Sequence, residues 1–407
     1  MNRGTVSPDP KMVRSLLFLD QFGYMGGAQR VLWEVLKSID QTKYDCRVAL
    51  NGTGEFLETL RDARISVLNL PLGKYHSARK TLPDVARLGG RTLACTLQLI
   101  LQGQRRPWDM VWANGPRTFM TGVLVGLATG TPVVWHLHRI FTSKSEIFWL
   151  LIFSRWVQRI ISCSEAAAAP FLASQRRLES KIRILYNPHP DWDWAPSTKR
   201  SSGLRAEYNL TNENYLFGTL GRITPFKGQK EFLYAAARVI TQYSNARFFV
   251  IGSPAPTDLT DIGYQAELRE LVGNFGLEQR VFFLPHQSNV REYIESMDAV
   301  VTPSIGPEAL PQTLIEAMYL AKPVIAPAQG GALEMIRDSV TGLLYATADV
   351  EALSIKMQDL VRRPQLGVQL GLQARENTLK QFSRSKFQQN IREEILSCLN
   401  RTQPFRS

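Results

Sequence analysis

Arg222 and Lys227 sit in the segment GRITPFKGQKEF, residues 221–232, at the end of an aliphatic run and the start of an amphipathic one. Two cations on a glycine-flanked loop that leads into a helix are the groups needed to hold a diphosphate. A charge-assisted hydrogen bond contributes about 1.5–3 kcal/mol, and the positive end of a helix adds about 0.3–1 kcal/mol. Together they would neutralise a departing diphosphate without a divalent ion. The plain alternative is a pair of solvated surface cations, and the strand-loop-helix setting weighs against it.

Farther along, PSIGPEALPQTLIEAMYLAKPVIA places Glu308 in the loop after a strand and Glu316 inside the helix that follows. A glutamate on the apolar surface of a helix reading TLIEAM is costly unless it is hydrogen-bonded, and carboxylates are good acceptors for vicinal hydroxyls. One glutamate for a ribose and one for a transferred sugar fits that chemistry; pairing with a nearby Lys or Arg is the competing account for either. The amides of Gln312 and Thr313 at the start of the same helix would add to anion binding. In the first half, Gly26 and Gly27 fall in a turn before a helix that starts near Ala28. Small residues there let backbone N–H groups approach an anion, although a tight turn explains them equally well. The placing of Gly23, Gly26 and Gly27 is not the G-x-G-x-x-G of a dinucleotide site. In TPVVWHLHR, His136 and His138 alternate onto one face of a strand. His138, at the carboxyl end, is the functional candidate and His136 the structural one. No third ligand stands at zinc spacing.

These side chains must be carried by elements, and short aliphatic runs alternate with amphipathic stretches throughout, as in parallel sheets wrapped by crossover helices. The class is therefore α/β. Strands are expected at Ser15–Asp20, Cys46–Leu50, Ile65–Leu68, Met110–Ala113, Val133–His138, Ile160–Ser164 and Ile182–Tyr186. A second set is expected at Tyr215–Thr219, Phe248–Ile251, Val281–Leu284, Ala299–Pro303, Val324–Ala326 and Leu343–Tyr345. Between the sets, from Asn187 to Asn212, proline, serine and charge break all periodicity, as in an interdomain linker. Two Rossmann-like units follow, residues 1–190 and 191–385, with a helical tail at 386–407. Ligands bind beyond the carboxyl ends of strands in such sheets, so two units facing each other would form a deep cleft.

The 407 residues are 44% hydrophobic and 21% charged, which excludes a disordered or fibrous chain. Net charge is +12, and all of it resides in residues 1–200; residues 201–407 balance at zero. A basic first half points to an anionic partner such as a membrane surface, a nucleic acid or a phosphorylated substrate, with a solubility margin as the bland explanation. Cys46, Cys95, Cys163 and Cys398 have neither zinc spacing nor the density of a disulfide scaffold, which suits a reducing compartment. The opening MNRGTVSPDPKMVR lacks the apolar core of a signal peptide. The most apolar run, Ile147–Phe153, is far shorter than the roughly 20 residues needed to span a bilayer. Its expected place is the domain core; lying on a membrane is the alternative. A basic nucleic-acid-binding protein is a reading from another class, but no basic run with interleaved aromatics and no binding module supports it.

Taken in order, GGAQR, the strand-end His138, the G-R-x-x-x-x-K-G block at 221–228 and the glutamate pair at 308 and 316 resemble the retaining glycosyltransferases of family four, which have the GT-B fold. The similarity covers nearly the whole chain. It implies that residues matching Arg222 and Lys227 hold the diphosphate of a UDP- or GDP-linked sugar. It further implies that Glu316 binds the ribose and that Glu308 and His138 contact the transferred sugar. Transfer to a hydroxyl acceptor with retention and without a metal is implied, as is a C-terminal helix near residues 386–400 that crosses back to the first domain. Polysaccharide, lipopolysaccharide or glycolipid synthesis in the cytoplasm, at the inner face of the membrane where the acceptor is lipid-linked, would be the setting by analogy. Two positions depart from the pattern: Pro311 stands where many members have Gly, and Gln29 where they often have Glu. A metal-dependent transferase is one rival, because Asp191, Trp192 and Asp193 spell Asp-x-Asp, though within a proline-rich connector. A nucleotide-sugar epimerase on the same fold is another.

Overall fold

Aliphatic and aromatic runs of three to seven residues make thirteen strands in the computed structural model, which describes residues 13–73, 82–193, 202–255 and 258–400. The chain forms two units. One comprises the described residues up to Cys163, Ala168–Leu185 and the chain from Phe387; the other comprises Ser164–Ala167 and Tyr186–Lys386.

The first part of the chain runs β1 (Arg14–Leu19), α1 (Gly27–Lys37), β2 (Tyr44–Leu50), α2 (Glu55–Asp62), β3 (Ser66–Asn69), α3 (Leu82–Arg105) and β4 (Met110–Ala113). It continues through α4 (Pro116–Thr129), β5 (Val133–Leu137), α5 (Lys144–Phe153), β6 (Arg159–Ser162), α6 (Glu165–Ser174) and β7 (Ile182–Ile184). All seven strands pair in parallel, in the order β3-β2-β1-β4-β5-β6-β7. Successive residues of β1 serve opposite faces. Leu16 and Phe18 join Val31 and Val35 of α1 and Phe56 of α2. Leu17 and Leu19 join Leu99 of α3 and Phe119 of α4. With helices on both faces, the central strands are buried along nearly their whole length and mostly apolar rather than alternating.

The second part holds α7 (Ser202–Glu207), β8 (Tyr215–Leu220), α8 (Gln229–Ile240), β9 (Ala246–Ile251), α9 (Leu259–Asn274), β10 (Val281–Leu284), α10 (Val290–Ser296) and β11 (Ala299–Val301). After them come α11 (Gln312–Tyr319), β12 (Val324–Pro327), α12 (Ala332–Met335), β13 (Leu343–Tyr345), α13 (Val350–Arg362) and α14 (Pro364–Gln381). Its six strands are parallel in the order β10-β9-β8-β11-β12-β13. The last helix, α15 (Arg384–Asn400), returns to the first unit. Phe387, Ile391, Ile395 and Cys398, three or four residues apart, share one helix face and enter the cluster formed by α1 and α2. An ion pair of 2.6 Å between Arg159 and Glu394 fastens the helix beside β6.

Two expectations need correction. Helix α5 is not packed into the core: none of its residues is buried, and Phe148 and Trp149 are 58% and 56% exposed. Its apolar residues encircle the axis, so only one side can meet the domain, where Ile147, Leu150, Leu151 and Phe153 rest partly on the core. The stretch from Asn187 to Asn212 is not wholly irregular, since it contains α7; residues 194–201 of it lie outside the described residues. Leu204 is buried there and Arg205 pairs with Asp298 at 2.7 Å, tertiary contacts that no local period announces.

Each sheet reverses its strand order once, between β1 and β4 in the first and between β8 and β11 in the second. A crevice opens at such a switch point, outside the carboxyl ends of the strands. The chemically interesting side chains lie at these two places.

Candidate functional site

In the second unit, β8 is buried along its whole length and delivers Gly221 and Arg222 to the switch point. A 3-10 turn over Pro225–Lys227 follows, and Gly228 leads into α8. Gly228 has φ +68°, and a Cβ there would fall 1.9 Å from the Pro303 carbonyl oxygen, so the loops after β8 and β11 touch backbone to backbone. Gln229 Nε2 donates to the Arg222 carbonyl at 2.9 Å, and the Ile305 amide donates to the Phe226 carbonyl at 3.1 Å. The loops are thereby locked together before any ligand arrives.

On this frame Lys227 Nζ meets Glu308 Oε2 at 2.5 Å, and Ser304 Oγ donates to Glu308 Oε1. The Lys227 chain passes over Gly221, whose added Cβ would lie 3.9 Å from Lys227 Cε. The Arg222 guanidinium, half exposed, lies 3.7 Å from the buried Asp261 carboxylate of α9. Both cations therefore follow β8 in the same loop, each beside a carboxylate. Thr313 Oγ1 donates to the Leu220 carbonyl at 3.5 Å, which sets the start of α11 against the end of β8. The amides of Gln312 and Thr313 belong to the first turn of α11, where no intrahelical acceptor exists. Pro311 is the N-cap residue, and its missing N–H removes one donor from that end. The Gln312 side chain is engaged elsewhere, accepting from Asn187 at 3.3 Å and donating to the Pro188 carbonyl at 3.4 Å. Glu316 is buried one turn into the helix. Asp191 of the Asp-x-Asp forms an ion pair with Arg384 at 2.9 Å.

The first unit gathers a second constellation at its own switch point. Asp20, directly after β1, is fully buried and accepts from Gln29 Nε2 and from Asn114 Nδ2, each at 2.7 Å, and from the Phe22 amide at 3.0 Å. Burial pushes its carboxyl up to about 6, although those three donors pull the other way. Asn114 Nδ2 also donates to the Ala28 carbonyl at 3.2 Å, so the amide orientation is doubly fixed. Asn114 Oδ1 is left to accept from His138 Nε2 at 2.8 Å, which places the imidazole proton on Nε2. Burial pushes His138 down to about 3 and, with its neighbour His138, holds His136 well below the ordinary imidazole range. Both rings are neutral and stand 4.0 Å apart, centroid to centroid.

His136 is wholly inside β5, as expected of a structural residue, and His138 is the first residue beyond the strand. The nitrogens of His138 are not presented outward, however: Nε2 is taken by Asn114, and Nδ1 is buried without a partner. Gly26 is the N-cap residue of α1, where a Cβ would press on Gln29 Oε1 at 2.9 Å, whereas a Cβ at Gly27 would meet open space. Gln29 now has a physical reason. Its amide donates to the buried Asp20, and a glutamate there would oppose carboxylate to carboxylate. Asp20 and Asn114 were missed in the sequence, where the one available signal was a polar residue directly after a buried strand.

Residues 202–377 match the family described as glycosyl transferases group 1, and residues 26–188 match the glycosyl transferase 4-like domain. The capsular polysaccharide biosynthesis glycosyltransferase CapM of Staphylococcus aureus is 24% identical over 318 residues, 76% of this chain and 80% of that protein. A D-inositol 3-phosphate glycosyltransferase of Mycolicibacterium paratuberculosis is 30% identical over 209 residues, 51% of this chain, so that the match spans about half of that relative, 45% of its length. Among solved structures, Anabaena HepE in complex with UDP-glucose is similar with a TM-score of 0.81, at 24% identity over 94% of this chain and 99% of that one. Sucrose-phosphate synthase from Thermosynechococcus elongatus gives 0.79 at 15% identity over 95% and 99%. At these identities the solved structures speak for the fold alone.

Proposed function

The chain belongs to the glycosyl transferases of group 1 and has their GT-B fold, and from that premise we propose that it moves a sugar from a nucleoside diphosphate to an acceptor hydroxyl. The observation that carries this reading is that Arg222 and Lys227 both lie in the loop after β8, at the switch point of the second unit, each beside a carboxylate. A diphosphate entering there displaces Asp261 from Arg222 and Glu308 from Lys227. The first turn of α11, with the amides of Gln312 and Thr313, adds oriented donors, and Glu316 takes the ribose. As the glycosidic bond breaks, charge grows on the leaving phosphate, and the two cations stabilise it more than they stabilise the ground state. Glu308, released from Lys227, accepts from a sugar hydroxyl; a sugar contact for His138, in the first unit, would require its Nε2 to exchange Asn114 for a hydroxyl. Gly26 and Gly27 at the start of α1 are assigned to an anion contact in the first unit, where a Cβ at Gly27 would meet open space.

Uridine is proposed ahead of guanosine as the base, after the complexes of HepE with UDP-glucose and of the Staphylococcus aureus TarM G117R mutant with UDP. Retention follows from attack on the face from which the diphosphate departs, with an oxocarbenium-like sugar held between. Two cations and a helix end serve where a metal would otherwise be needed. The basic first half receives the acceptor, a growing surface polysaccharide or glycolipid, in keeping with its similarity to CapM, a capsular polysaccharide biosynthesis glycosyltransferase. The cytoplasm is the compartment in which a soluble nucleotide-sugar would be met.

A thermal-denaturation screen against UDP, GDP and ADP tests the core of this reading, because a ligand bound only by the folded state raises the midpoint. UDP or GDP should raise it in the wild type and fail to do so in Arg222→Ala and Lys227→Ala. A shift that survives both substitutions would place the nucleotide elsewhere.

A further inference from the structure

Helices α3, α4 and α5 pack on the same face of the first sheet, so their outer sides form one layer pointing away from it. That layer exposes large apolar groups that the fold does not use. Leu93, Leu97 and Leu101 make a stripe at helical spacing along α3, and Phe148 and Trp149 project from α5; α4 adds two more. Such a stripe is the inverse of an ordinary surface helix, which keeps its apolar side for the core. Exposed apolar area concentrated in this way marks an interaction surface.

The charges around it identify the partner. Residues 82–105 contain Arg87, Arg91 and Arg105 against a single acid, Asp84. Lys144 and Arg155 bracket α5, both exposed, and the Arg155 guanidinium stacks 4.1 Å over Trp156. A second copy of the chain on this face would set arginine against arginine. Among the described residues no helix is long and apolar enough to cross a membrane, so the layer can lie on a bilayer but not span it.

We propose that this layer docks on an anionic lipid surface, with Phe148 and Trp149 seated among the headgroups, the leucine stripe of α3 in the interfacial plane, and the flanking cations on lipid phosphates. Tryptophan and phenylalanine favour that depth, and cations on long stems reach the phosphates while their carbons stay with the apolar groups. The inference does not depend on the transferase reading, since docking needs neither donor nor acceptor.

The full chain is sedimented with vesicles of phosphatidylcholine alone or with about one-third phosphatidylglycerol. Wild type should bind the anionic vesicles and leave the neutral ones, and added salt should weaken binding. The double substitution Phe148→Glu with Trp149→Glu, and separately Leu97→Glu with Leu101→Glu, should each lower partitioning by about tenfold or more. Nucleotide-induced stabilisation in the same variants should stay at the wild-type level, which separates docking from the donor site. The proposal is overturned if wild type ignores anionic vesicles, if both variants bind them as wild type does, or if the substitutions instead abolish a dimer seen by analytical ultracentrifugation.

Discussion

Lys227 pairs with Glu308 and Arg222 lies beside Asp261, so donor binding as proposed would be an exchange of anions rather than the filling of a bare positive pocket. Lys227→Ala or Arg222→Ala should lower kcat/KM on the order of a hundredfold, because each removes stabilisation of the leaving group. Steady-state kinetics with the donor identified by the thermal screen would measure it, and near-normal values in both variants would refute the assignment. The buried trio in the first unit makes a different prediction. His136 and His138 have folded-state pKa values below the ordinary 6.5, while that of Asp20 is raised from 3.8 to about 6. As pH falls from about 6 toward 4, the unfolded chain takes up protons on His136 and His138 that the folded chain resists, which lowers stability, while Asp20 takes up its proton earlier in the folded chain, which opposes the fall. Asp20→Asn removes that opposing proton, so its stability should fall more steeply with decreasing pH in urea titrations, and parallel curves for the two proteins would contradict the assignment.

At the scale of the element, two glycines at loop-helix junctions separate fold from function. Gly228→Ala forces a side chain into the left-handed region and onto the Pro303 carbonyl, backbone that cannot yield as a flexible side chain would. A loss of about 1–3 kcal/mol in stability is expected, together with weaker nucleotide binding, because the loops after β8 and β11 must part. Gly27→Ala meets open space and should leave the denaturation midpoint unchanged, so any fall in its activity would report on the approach of a ligand to α1. The C-terminal helix is judged by packing. Ile391 is fully buried in the α1–α2 cluster, and Ile391→Ala should cost about 2–5 kcal/mol by urea denaturation. A cost below about 1 kcal/mol would mean that α15 is only loosely attached.

For the molecule as a whole, the chemistry proposed requires this chain, a nucleotide-sugar and an acceptor, and activity should persist in EDTA; its loss and recovery with a divalent ion would return the Asp-x-Asp to consideration. The class of fold was open to reading at the outset because burial on both faces forces each strand of a parallel sheet to be an apolar run. All thirteen strands stand within one or two residues of where those runs predict them. The ends differ, as at His138, which falls just past β5, because a strand stops where its neighbour no longer supplies hydrogen bonds. The placing of Arg222, Lys227 and Glu308 in loops after strands, and of Glu316 inside the following helix, was also visible in advance, since glycines and strand ends mark those loops locally. The Asp20–Asn114–His138 chain was not. Asp20 and Asn114 are 94 residues apart and meet because β4, not β2 alone, lies beside β1. Local sequence therefore determined which segments become strands and helices, because periodicity and turn chemistry act over a few residues. The order in which the strands lie side by side, the side of α5 that faces water and the partners held by each buried charge were decided only by the tertiary structure, because packing selects among arrangements that share the same local pattern.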